Sequence, residues 1–224
     1  MGIAFEASGL EGRVETFYTV ALEPFYEYLD EQLDDQRLLL SLLVRYKHKC
    51  EWFRNDELLR MATADSGHAE RNLAEHMYEY LYDQGLDFSI EPRSASGKPD
   101  LVSAQTGDHR LVADAKVFGE STAKTYLATA FNQVYTYARD YNEPFGYIVL
   151  FNTSGRDVKL VLDTQEQSVP FHCHNGKTIF ILTIDISPYT ETASKRGPLT
   201  SLEITAQDLA QLVQTETTRE AEAS

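Results

Sequence analysis

Apolar residues in the first third of the chain recur at helical spacing, and those in the last two thirds recur at strand spacing. Residues 11–33 and 34–62 read as helices: Leu39, Leu42, Leu43, Tyr46, Trp52, Phe53 and Leu58 broadly follow steps of three and four. Asp34 or Asp35 is the expected cap between the two. After a break at "TADSG", a third helix, "HAERNLAEHMYEYLYDQ", closes at Gly85. The period then changes. "DFSIEPR" reads as a strand and "SASGKP" as a turn, and "DLVSA" and "RLVADAKVF" read as a hairpin around "QTGDH". "TAKTYLATAFNQVYTYARDY" is a long helix, and "YIVLFN" is a continuous apolar run of the kind found in buried strands. "DVKLVLDT", "VPFHCH" and "KTIFILTIDI", the last two around an Asn-Gly turn, are expected to extend the sheet. Residues 203–214 read as a final helix and the last ten as a frayed tail. Helices with a mixed sheet place the chain in the α/β class.

One strand carries charge where it should be apolar. In "RLVADAKVF", Asp114 and Lys116 share a face with Val112 and Phe118, while Ala113, Ala115 and Val117 face the other way. Burying a carboxylate and an ammonium is costly unless they pair or hold a metal. Asp100, at the start of the strand paired with this one, could reach the same end of the hairpin. Asp100, Asp114 and the carbonyl of Ala115 would suit a hard divalent cation such as Mg²⁺ or Mn²⁺, with Lys116 orienting a water beside it. Two carboxylates so placed would repel each other without the metal, so Asp114→Asn is expected to keep or gain stability in the metal-free protein. On the third helix Glu70 falls on the face of Leu73, Met77, Tyr80 and Leu81, and Glu75 nearly opposite. Glu70 is therefore the expected third carboxylate.

The order Glu…Pro-Asp…Asp-x-Lys over helix, strand and strand resembles the PD-(D/E)xK nuclease superfamily. "AERNLAEHMYEYLYDQG" followed by "SASGKPDLV" is similar to the start of archaeal Holliday-junction resolvases, whose shorter helix spacing makes Glu75 the rival of Glu70. Gln133-x-x-x-Tyr137 looks like the motif that follows the catalytic strand in RecB-type nucleases. The resemblance covers roughly residues 66–152. It implies a restriction-endonuclease-like αβββαβ core with a mixed sheet, extended here by N-terminal helices and C-terminal strands. The expected division is 1–65 helical, 66–215 nuclease-like and 216–224 an acidic tail. It implies phosphodiester hydrolysis, of DNA, in prokaryotic DNA processing, restriction or antiviral defence. Glu70, Asp100, Asp114, Lys116 and Gln133 would be the catalytic set, and Tyr137 would face nucleic acid.

Composition adds a tension. Hydrophobic residues at 42% suffice for a core, and two distant cysteines exclude a disulfide framework and fit a reducing cytoplasm. No signal peptide or spanning segment is visible, so no membrane partner is expected. The net charge of −15 repels nucleic acid unless basic residues converge locally. "RYKHKCEWFR" is the densest basic run, and Arg45, Lys47 and Lys49 are its candidate phosphate contacts, with Trp52 able to stack on a base. Alternatively a homo-oligomer or a basic partner supplies the charge, or the fold is a silent, acidic scaffold that binds a protein. His172 and His174 in "FHCH" read as a hairpin end, not a metal site.

Overall fold

The computed structural model describes residues 10–86, 101–106, 109–162, 169–188 and 197–210, with side chains described except at 10–11, 13, 27–37, 101–106 and 109–110. The chain separates into two units, Met1–Ser41 and Leu42–Ser224. The division falls ahead of the expected 65/66, so the helices between 42 and 64 belong with the sheet.

The first unit holds α1 (Leu10–Phe17), a π-helical turn (Tyr18–Leu22) and the beginning of α2 (Glu23–Phe53). Pro24 explains the π turn. It has no N–H to offer the carbonyl four residues back, and the ladder before it loosens to an i→i−5 bond, Glu23 N–H to Tyr18 O. The helix runs on through Asp34 and Asp35, so the expected cap there is not made. No Gly or Pro occurs between Pro24 and Gly67, so nothing forces a stop. The break comes at Arg54 (φ −129°), before α3 (Asn55–Ala64) and α4 (Ala69–Asp83).

The second unit is built on five strands in the order β1-β2-β3-β6-β5. β1 (Leu101–Thr106) and β2 (His109–Phe118) form the expected antiparallel hairpin. α5 (Lys124–Asp140) then crosses over to β3 (Phe145–Asn152), parallel to β2. A second parallel pairing joins β3 to β6 (Lys177–Asp185), and β5 (Phe171–His174) closes the edge antiparallel to β6. Asn175 and Gly176, with φ of 45° and 75°, make the two-residue turn between them. The result is a mixed α/β structure. On one face Val112, Phe118, Ile148, Leu150, Ile179 and Ile181 meet Leu127, Phe131, Val134 and Ala138 of α5. On the other, Tyr46 of α2 lies edge-on to Phe151, and Tyr147 stacks on Phe180.

β4 (Asp157–Val161) does not extend this sheet as expected. It pairs in parallel with β7 (Ser201–Thr205) in a second, two-stranded sheet. Both edges of β3 are already taken by β2 and β6, so the strand that follows has no place beside it. Residues 203–205 are likewise strand, and helix begins only at 206. The cause is a reciprocal cap: Thr205 N–H donates to Asp208 Oδ2 at 2.8 Å, and Asp208 N–H to Thr205 Oγ1 at 3.3 Å. "DFSIEPR" and "SASGKP" lie outside the described residues, as does the tail from 211.

Candidate active site

The described part of β1 ends opposite Asp114, whereas β2 continues to Phe118 and pairs with β3 up to Phe118↔Asn152. Beyond Asp114 the backbone of β2 is also bonded by a helix side chain. This is Glu70, in the first turn of α4: its Oε1 accepts the N–H of Val117 at 3.4 Å.

Asp114 and Lys116 project from β2 on the face of Val112 and Phe118. Their side chains are 1% and 8% exposed. The Lys116 ammonium lies 3.0 Å from Asp114 Oδ2 and 3.4 Å from Glu70 Oε2. Glu70 is 31% exposed, so the cluster grades from a buried carboxylate to one that water reaches. Glu75 is turned outward, 55% exposed and ion-paired with Arg71 at 2.9 Å, as the helix phase predicts. Ala115 is buried between the two charged positions. Asp100 lies outside the described residues.

A residue the sequence reading missed completes the group. Tyr126, in the first turn of α5, donates its hydroxyl to Glu70 Oε1. Gln133 and Tyr137, both half-buried, follow it at seven and eleven residues, within about 20° of the same helix stripe. α5 runs back against β2, so this stripe leads from Glu70 toward the start of the strand. The sevenfold spacing of Tyr126 and Gln133 was the signal that could have found it. The loop before α5 is held firmly. Thr122 Oγ1 accepts the Gly119 N–H at 3.0 Å, and Arg156 Nη2 donates to the carbonyls of Gly119 and Thr122, both at 3.1 Å.

The basic run does not converge as expected. Lys47 is engaged inside the fold, 2.5 Å from Glu51 and 2.5 Å from the carbonyl of Thr183, while Glu51 accepts the N–H of Asp185. These contacts dock α2 on the end of β6. Lys49 lies 4.9 Å over the Tyr80 ring. Arg45 alone of the three is exposed, and Trp52 is exposed at the helix end. Cys50 is buried, and burial pushes its thiol up to about 12, so it is no nucleophile at neutral pH. His172 and His174 contact Phe131 and Tyr135 at the β5 hairpin end.

No protein-family model matches the chain, and neither a curated protein nor a solved structure matches it. No helix among the described residues is long and apolar enough to cross a membrane. Among the described residues no three His, Cys, Asp or Glu side chains gather as a metal cage. The donors that do gather are hard carboxylate oxygens around one cation, the Lys116 ammonium. Carboxylate oxygens are the donor type that hard divalent ions take, and among the described residues they lie against an ammonium.

Proposed function

We propose that the chain is a Mg²⁺- or Mn²⁺-dependent nuclease of the PD-(D/E)xK type, hydrolysing phosphodiester bonds of DNA in prokaryotic DNA processing, restriction or antiviral defence. The observation that carries this reading is the Asp114-x-Lys116 pair, buried in a central strand and joined at its ammonium by Glu70 from a helix. A pair placed only for stability gains little from burial, because desolvation offsets the attraction. Here the pair also leads to a carboxylate that solvent reaches.

Asp114 and Glu70, with Asp100 and the carbonyl of Ala115, would hold the ion. When bound, such an ion polarises the scissile phosphate and lowers the pKa of a bound water. The chain's own groups do the rest. Lys116 places a fixed positive charge beside the attacking oxygen and the developing phosphate charge, in a setting drier than bulk water. Glu70 Oε2, beside that ammonium, is the acceptor for the proton of the attacking water. Along α5 from Tyr126, Gln133 would join the catalytic set and Tyr137 would contact the nucleic acid.

The test is cleavage of linear and circular DNA by the full chain in Mg²⁺ or in EDTA, with Asp114→Asn and Lys116→Gln alongside. Wild type should cut only with the ion, and each variant should lose about a hundredfold or more. Equal rates for wild type and Asp114→Asn would overturn the reading.

A further inference from the structure

Glu70 is held by two donors that the mechanism above does not use. A glutamate in the first turn of a helix, one third exposed, would ordinarily sample several rotamers. Here its two oxygens have different surroundings. Oε1 accepts the N–H of Val117 and the hydroxyl of Tyr126, while Oε2 faces the Lys116 ammonium at 3.4 Å. Tyr126 is itself placed by rigid parts. Its ring packs against the α5 core, and the loop leading to it is clamped by Arg156 and Thr122.

We propose that Tyr126 is a positioning residue of this site: its hydroxyl fixes Oε1 of Glu70, so that Oε2 is the oxygen presented to Lys116, the metal ion and the attacking water. This rests on the nuclease reading. Loss of the hydroxyl leaves the ring and its packing in place but frees the carboxylate to rotate. A group that acts by orienting a metal ligand commonly contributes tenfold or more to metal affinity or rate.

The experiment is a double-mutant cycle on the full chain with Tyr126→Phe, Glu70→Gln and both together, the fold of each checked by circular dichroism. Mn²⁺ binding is read by calorimetry, and kcat and KM on DNA are read in Mg²⁺. Tyr126→Phe should weaken Mn²⁺ binding about tenfold and lower kcat by a similar factor, with KM little changed. In the Glu70→Gln background the same change should do nothing further, because residues acting through one another are not additive. An unaltered Mn²⁺ affinity in Tyr126→Phe, an undiminished effect in the Glu70→Gln background, or a wild-type chain that binds no Mn²⁺ would each overturn the assignment. Should wild type bind Mn²⁺ but cut no DNA, the nuclease reading fails alone, and the Mn²⁺ cycle still decides whether Tyr126 acts through Glu70.

Discussion

Lys116 is the residue on which the local charge balance turns. Its ammonium is almost wholly buried, 3.0 Å from one carboxylate and 3.4 Å from another. Removing it leaves Asp114 buried without its nearest counter-charge. Lys116→Met should therefore cost about 3–5 kcal/mol in urea unfolding, and adding Asp114→Asn to it should recover much of that. The same pair reverses an expectation drawn from sequence. Asp114→Asn was expected to keep or raise stability by relieving repulsion, but with an ammonium at 3.0 Å the carboxylate is attracted. The single variant should melt below wild type, by less than Lys116→Met because Glu70 remains beside the ammonium; a melting point at or above wild type would show that the pair does not form. Asp114, Lys116 and Glu70 were legible because strand parity and helix phase decide which way a side chain turns. Tyr126 was not. It is one of 13 tyrosines, and its seven-residue spacing from Gln133 gains meaning only once the meeting of α4, β2 and α5 shows which stripe of α5 faces the site.

Elements carry their own signals, and the ones misread failed for reasons of neighbourhood. β4 had the alternation of a strand, yet alternation does not say which sheet has a free edge. The opposite case is Gly146 on β3, where a Cβ would lie 2.6 Å from Val134 Cγ1 and 2.8 Å from Ile179 Cδ1. Close packing of α5 on the sheet requires the glycine, and Gly146→Ala should cost about 1–3 kcal/mol of stability by chemical denaturation. Packing of α2 on α4 has a pH dependence. The hydroxyl of Tyr46 lies 2.9 Å from His76 Nδ1. Burial holds the imidazole below its ordinary range, with Glu57 opposing and Lys49 reinforcing the shift. Burial, and then His172, lower His174 in the same direction. The unfolded chain therefore takes up protons at a higher pH than the folded one. The stability conferred by neutral rings is complete above about pH 6.5 and is lost as pH falls from there toward the folded values. Unfolding free energy should decline between pH 7.5 and 5.5, and His76→Gln should flatten that decline. An unchanged slope in the variant would remove His76 from the account.

At the scale of the molecule the net charge of −15 is unevenly spread: residues 1–41 carry nine acidic and two basic side chains. The unit that holds the candidate site is therefore less hostile to a polyanion than the total suggests, though two of the three cations of its basic run are engaged. Lys47 is committed to Glu51 and the Thr183 carbonyl, and Lys49 to the Tyr80 ring, while Arg45 is exposed. The sequence showed the three as one run; the helix turns Lys47 about 200° away from Arg45 and into the fold, while Lys49, about 40° from Arg45, stays on its side and lies over the Tyr80 ring. With few phosphate contacts, duplex binding should be weak, with log K falling against log salt at a shallow slope of about −1 to −3. Arg45→Gln should flatten that slope by about 1 and leave the melting temperature unchanged. Lys47→Gln should do the reverse, lowering the melting temperature by loosening α2 from β6 while the slope stays near wild type. A steep wild-type slope would mean that more cations converge than the described residues supply, and a second copy of the chain or a basic partner would have to bring them. Should Lys47→Gln flatten the slope as much as Arg45→Gln with no loss of stability, then Lys47 faces the phosphates and its bond to the sheet end is not made in solution.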